Sequence, residues 1–221
     1  CNMMTGCGIV EAGMGQVIGS MVLFGACFDE GQSASLRKIG VIDSKMLSPE
    51  ERDFLFEKII EACGGRYYAV IVSPSEIDEA VSRGELNLLE ANKTAEIINF
   101  LNPDTAIIDC PDPKPDRYAS KIRAMLKNKN LKILAEHKAD FKYAEVGAAS
   151  ILAKVIRDRE IEKISRKLGI DFGSGYPSDP RTAEFIQKHW NEKSLHGVIR
   201  RSWAPVRRRE GEKGQMRLSE F

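Results

Sequence analysis

No run of about 18 apolar residues, the length needed to cross a bilayer, occurs anywhere in the 221-residue sequence. Cys1 to Ile9 has neither the basic start nor the long apolar stretch of an export signal. A soluble cytoplasmic protein with no membrane partner is therefore expected. Cysteine is sparse and scattered: Cys1, Cys7, Cys27, Cys63 and Cys110 form an odd set without a close pair at metal-ligand spacing. That pattern argues against both a disulfide framework and a zinc site. An excess of one charge is missing too, since 33 Lys plus Arg face 32 Asp plus Glu and leave a formal net charge of +1. Repeats and low-complexity segments, which would point to a solenoid or a linker array, are also missing.

What is present is a core-forming composition, 43% hydrophobic and 29% charged, enough for one domain with a small appendage. Charge is uneven at the end of the chain. From Arg200 onward stand Arg200, Arg201, Arg207, Arg208, Arg209, Lys213 and Arg217 against Glu210, Glu212 and Glu220, a solvated basic tail that would favour a polyanion. Apolar runs rich in Val and Ile alternate with stretches of helical period, the pattern of an α/β domain. Ile9 lies in a short strand and residues 17–28 read as a second, together an opening hairpin. Ser48, Pro49 and Glu51 supply an N-cap, a proline in the first turn and a capping box for a helix that ends near residues 63–65. Strands are predicted over 67–72, 105–109 and 131–135. Helices are predicted over 87–101, 115–126, 144–168 and 181–190, with Gly169 as a C-cap.

Acidic residues that follow strands matter most, because strand ends of α/β sheets converge on the crevice where ligands bind. Glu11, Asp109 and Asp140 meet that test. Carboxylates without His or Cys partners suit hard cations such as Mg²⁺ or Mn²⁺. The same Glu11 and Asp109 could instead serve as the acid and base of a sugar hydrolase, which would need no metal.

The segments around these residues are more specific. Gly8-Ile9-Val10-Glu11-Ala12-Gly13-Met14-Gly15, Asp43-Ser44-Lys45, Ala135-Glu136-His137-Lys138-Ala139-Asp140, Ala148-Ala149-Ser150-Ile151-Leu152-Ala153-Lys154, Gly173 to Pro180 and Arg201-Ser202-Trp203 occur in order across residues 6–206. This series resembles the archaeal type of the ribonuclease HII family. The resemblance implies a ribonuclease H-like mixed sheet flanked by helices, with a helical C-terminal portion, over residues 1–206. It implies an endonuclease that cuts the RNA strand of RNA–DNA hybrids, and the 5′ side of ribonucleotides embedded in duplex DNA, by two-metal chemistry with Mn²⁺ or Mg²⁺. By the same resemblance Glu11, Asp109 and Asp140 are three of four metal-binding carboxylates. Tyr176 stacks on the sugar at the RNA-to-DNA junction, the backbone of Gly13, Met14 and Gly15 approaches the ribose 2′-hydroxyl, and Lys45 and Lys154 touch phosphate.

The departures from the family pattern fall near the start: Val10 replaces the first catalytic aspartate, Met14 an arginine or lysine, and Gln16 and Ser20 prolines. Valine cannot hold a cation, so a catalytically impaired protein that still grips hybrids is the alternative reading. Residues 207–221 form a basic tail in which Gln215, Leu218 and Phe221 have the spacing Gln-x-x-Leu-x-x-Phe. That spacing resembles the motif by which replication proteins bind the sliding clamp, PCNA. A monomer is expected.

Overall fold

The computed structural model describes residues 4–41 and 47–219, with residues 212–219 as backbone alone. The chain divides into two compact units: Cys1–Ala12, Val22–Ile71 and Asn87–Ile156 make one, and Gly13–Met21, Val72–Leu86 and Arg157–Phe221 the other.

The first unit is built on a five-stranded mixed sheet in the order β3-β2-β1-β4-β5. Its strands are β1 (Thr5–Ala12), β2 (Met21–Asp29), β3 (Tyr67–Val72), β4 (Thr105–Asp109) and β5 (Lys132–Glu136). The predicted hairpin is there, with β1 antiparallel to β2 and Cys7 opposite Cys27. Its second strand is shorter than the expected 17–28, because Gly19 takes φ 87° and only Ile18 of the preceding stretch makes a bridge, to Ile199. β4 lies parallel to β1 with Ile108 beside Ile9, and β5 lies parallel to β4 with Glu136 beside Asp109.

Helices of this unit include α1 (Glu30–Lys38), α2 (Pro49–Ala62), α4 (Leu86–Leu101), α5 (Pro115–Met125), α6 (Ala139–Lys142) and the first part of α7 (Ala144–Leu168); α3 (Pro74–Ser82) belongs to the other unit. Helix α2 carries the expected capping box between Ser48 and Glu51. Small residues bring α7 against the sheet: a Cβ on Gly8 would strike the Glu145 backbone, and Ala144, Ala148, Ala149 and Ala153 are all buried. One hydrophobic cluster joins Val10, Ala12, Phe24, Phe28, Ile107, Val146 and Leu152.

The second unit holds α8 (Pro180–His189), a short 3-10 helix (Lys193–Leu195) and α9 (Ala204–Ser219). It has its own core of Val17, Ile18, Ile161, Phe172, Phe185, Ile199 and Val206. Helix α9 continues through the segment read from sequence as a solvated tail, and two cations of that tail turn out otherwise engaged. Arg200 is fully buried, and Arg201 pairs with Glu210 at 2.7 Å. Among the described residues, no helix is long and apolar enough to cross a membrane.

Candidate active site

The parallel pairing of β1, β4 and β5 brings their carboxyl ends to one edge of the sheet. Glu11 stands near the end of β1 and Asp109 at the end of β4, and both line one small cavity with Val10, Glu90 and Tyr118. Asp109 also reaches the next segment, since its Oδ1 accepts a 3.0 Å hydrogen bond from the Ala139 amide at the start of α6. Asp140, the following residue, is buried at 5% exposure. The sequence-predicted carboxylates thus pair off, Glu11 with Asp109 at the cavity and Asp140 beside the amide that Asp109 holds.

Among the described residues, no three His, Cys, Asp or Glu side chains enclose a common ion position. Donor chemistry nevertheless fits a hard divalent cation. Mg²⁺ in particular keeps several waters and is bound by one or two carboxylates together with substrate phosphates, rather than by an all-protein cage. The Glu11 and Asp109 pair, with Asp140 adjoining, meets that requirement.

Val10 lines the same cavity but brings no polar atom to it. Successive strand side chains point to opposite faces, and Val10 joins Ala12 in the hydrophobic cluster on the α7 face, at 4% exposure. Continuing the register of Ile9 with Ile108 by one residue sets Val10 beside Asp109.

Glu90 is a carboxylate that sequence reasoning missed. It lies on α4 at 1% exposure, and neither of its oxygens has a hydrogen-bond partner. Burial first, then the like charges of Glu11 and Asp112, push its carboxyl up to about 8. Tyr118 shares the surroundings: burial pushes its hydroxyl well up, and it lies 3.3 Å from the Thr94 hydroxyl. The available signal was a charged residue within an otherwise buried helical stripe of Ala91, Thr94, Ala95 and Ile98.

In the second unit the Gly13–Gly15 loop and the loop over 173–177 are tied together. Val17 N–H donates to the Gly175 carbonyl at 2.8 Å, and Gln16 Nε2 donates to the Ser174 carbonyl at 2.7 Å. Gly13 has φ 93°, where a Cβ would stand 2.8 Å from Gln16 Oε1, so only glycine fits without strain. A Cβ on Gly15 would meet the Tyr176 ring at 3.4 Å, which places Tyr176 against the loop. Two arginines hold this assembly, Arg157, which the sequence reading did not single out, and Arg200, which it counted as a tail cation. Arg157 donates to the Tyr176 hydroxyl at 2.9 Å, its guanidinium 5.5 Å from the ring centre. Buried Arg200 donates to the Met14 carbonyl and to the Gly19 carbonyl, each at 2.9 Å.

Of the remaining expected residues, Lys154 is half-buried on α7 in the first unit. Lys45 and Phe221 lie outside the described residues, and Gln215 and Leu218 are described only as backbone of α9.

Comparison with known proteins bears directly on this arrangement. The family model for ribonuclease HII matches residues 7–206. Ribonuclease HII of Pyrococcus horikoshii is 45% identical over 97% of this chain and 97% of its own length. That of Methanothermobacter thermautotrophicus is 46% identical over 92% of this chain and 98% of its own. The crystal structure of the Pyrococcus horikoshii ribonuclease H2 superposes with a TM-score of 0.84 at 44% identity, covering 95% of this chain and 98% of that one. The ribonuclease HII of a PCNA complex from Archaeoglobus fulgidus gives 0.81 at 40%, covering 90% and 95%. A Bst ribonuclease HIII solved with Mn²⁺, 22% identical with a TM-score of 0.73 over 93% of this chain and 68% of that one, shares the fold. Matched over nearly its whole length to curated relatives and solved structures alike, the chain belongs to the ribonuclease HII family and is a ribonuclease H enzyme.

Proposed function

We propose that the chain hydrolyses the RNA strand of RNA–DNA hybrids and incises 5′ of ribonucleotides embedded in duplex DNA, using Mg²⁺ or Mn²⁺. The observation that carries this reading is the meeting of Glu11 and Asp109 at the carboxyl edge of the sheet, within a chain matched to the family over residues 7–206. Glu11, Asp109 and Asp140 would hold the metal. When bound in a pair, divalent ions supply the Lewis acidity that activates water for in-line attack and stabilises the departing 3′ oxygen.

The rest falls to the protein. Asp109 is fixed by the Ala139 amide, which keeps its carboxylate oriented. The Gly13–Gly15 loop exposes backbone that can approach a 2′-hydroxyl, the group that separates RNA from DNA. Tyr176, steadied by Arg157, offers a ring to the sugar at the junction. Lys45 and Lys154 would contact phosphate. The Gln215, Leu218 and Phe221 spacing, with Gln215 and Leu218 on the backbone of α9, together with the PCNA complex of the Archaeoglobus fulgidus relative, supports clamp binding through the C-terminal segment.

The second reading, a hybrid-binding protein impaired in cutting, draws on Val10, which packs into an apolar cluster where the resemblance expects an aspartate. One experiment separates the two: cleavage of a duplex carrying a single ribonucleotide, beside an all-DNA duplex, with and without chelator. The enzyme reading expects metal-dependent incision of the first duplex alone. Equal cutting of both, or activity that survives chelation, refutes it, and tight binding without incision supports the impaired form.

A further inference from the structure

Asp78 lies on α3 in the second unit, directly after buried Ile77, and is itself half-buried. Its carboxylate turns to a segment 123 residues further along the chain. Oδ2 accepts the Arg201 amide and Oδ1 the Ser202 amide, each at 2.9 Å, and the Ser202 hydroxyl donates to Oδ1 as well. Three donors converging on one carboxylate fix its orientation and theirs, and a carboxylate acceptor makes each bond about twice as strong as a neutral one.

The segment held in this way leads to the substrate loop. Arg201 and Ser202 are the middle of a turn that the Trp203 N–H closes on the Arg200 carbonyl at 3.3 Å. The turn sets the Trp203 ring centre 5.0 Å from the Arg200 guanidinium. Arg200 is fully buried, and its backbone N–H donates to the Val17 carbonyl at 2.8 Å. Its guanidinium donates to the Met14 carbonyl, inside the Gly13–Gly15 loop, and to the Gly19 carbonyl beyond it. A long arginine side chain loses much rotamer freedom in holding two carbonyls at once, and that loss is smaller when its own backbone is already fixed. Val17 ties the amide of Arg200, and Asp78 ties the two residues that follow.

We propose that Asp78 is a positioning residue for substrate recognition: by holding the Arg201 and Ser202 amides it fixes the turn from which Arg200 sets the Gly13–Gly15 backbone, and so sets how well that backbone separates ribose from deoxyribose. This rests on the 2′-hydroxyl contact proposed for that loop. The effect falls on recognition rather than on metal binding, because Asp78, Arg200 and the loop belong to the second unit, whereas Glu11 and Asp109 belong to the first.

The test uses the whole chain in chelator, where binding is read without cutting. Affinity for a duplex carrying a single ribonucleotide, and for the all-DNA duplex of the same sequence, is measured by fluorescence anisotropy for wild type, Asp78→Ala and Asp78→Asn. Wild type should favour the ribonucleotide duplex on the order of tenfold, the worth of about one net hydrogen bond. Asp78→Ala should lower that preference to about twofold while affinity for the all-DNA duplex stays within about twofold, since phosphate contacts carry the shared part. Asp78→Asn keeps one acceptor oxygen but sets an NH₂ donor against the other amide, so it should fall between the two, and it serves if the alanine variant does not fold. Arg200→Lys, which loses the forked donor, should lower the preference as far, and adding Asp78→Ala to it should lower it no further. A preference unchanged in either Asp78 variant, even with a lower melting temperature, overturns the proposal and leaves Asp78 a cap on the turn. Additive losses in the double variant overturn the route through Arg200. Absence of any preference in wild type overturns the 2′-hydroxyl role of the loop itself, and the proposal with it.

Discussion

Val10→Asp is the perturbation that most directly probes how this site is charged. The position is 4% exposed, belongs to the cluster of Ala12, Val22, Phe24, Val146 and Leu152, and neighbours Asp109 by strand register. Replacing valine removes apolar burial of about 2 kcal/mol. It also sets a second carboxylate near Asp109, which adds desolvation and like-charge repulsion of at least about 1 kcal/mol. For a protein of this size each kcal/mol lowers Tm by about 2–4 °C, so in chelator the variant should melt about 6–12 °C below wild type. A divalent ion reverses the sign. With its charge neutralised, the new carboxylate becomes a ligand, so Mn²⁺ should raise Tm more in the variant than in wild type. Incision of a single-ribonucleotide duplex should speed up on the order of a hundredfold, as when a missing ligand is restored. The assay is single-turnover cleavage across a Mn²⁺ titration, paired with calorimetric melting. An unchanged rate together with an unchanged Mn²⁺ midpoint would refute the role given to this position. An unchanged Tm in chelator would refute its packing.

Three further outcomes follow from the geometry. Asp109→Asn keeps an oxygen to accept the Ala139 amide but loses the charge, so it should fold with a Tm close to wild type and lose all detectable cleavage; circular dichroism alongside the cleavage assay separates the two effects. The Asp179 carboxyl is lowered from 3.8 to about 2, first by the Ser174 amide, so its contribution to stability should be present above pH 3.8 and lost as pH falls through 2, and Asp179→Asn should lose this part of the acid dependence in melting curves from pH 1.5 to 6. A peptide of residues 207–221 should bind the sliding clamp of the source organism with modest affinity, and Leu218→Ala with Phe221→Ala should abolish it in a calorimetric titration; equal binding by both peptides would remove the clamp from the partners.

Much of the fold is decided by short-range rules, and those parts could be read directly. Ser48, Pro49 and Glu51 satisfy the first turn of α2 from within a few residues, and the short apolar run Ala106-Ile107-Ile108 reads as a buried strand. Ser73, Pro74 and Glu76 repeat the same capping signature for α3, which was as legible in principle although no helix was predicted there. The ordered motifs contain Glu11, Asp140 and Tyr176, the end of a predicted strand pointed to Asp109, and the series named the family later found over residues 7–206. What the sequence could not contain is which distant groups meet. Arg200 counts as one more tail cation until Met14 and Gly19, far back in the chain, offer it their carbonyls in a buried pocket. Glu90 is an unremarked helical glutamate until α4 brings it to the cavity that Glu11 also lines. Val10 and Glu11 are neighbours in the chain, and only the folded structure shows that both line the acidic cavity while Val10 also joins the hydrophobic cluster. Capping and periodicity act within a few residues and are written locally, whereas burial of charge depends on partners that only the folded chain brings within reach.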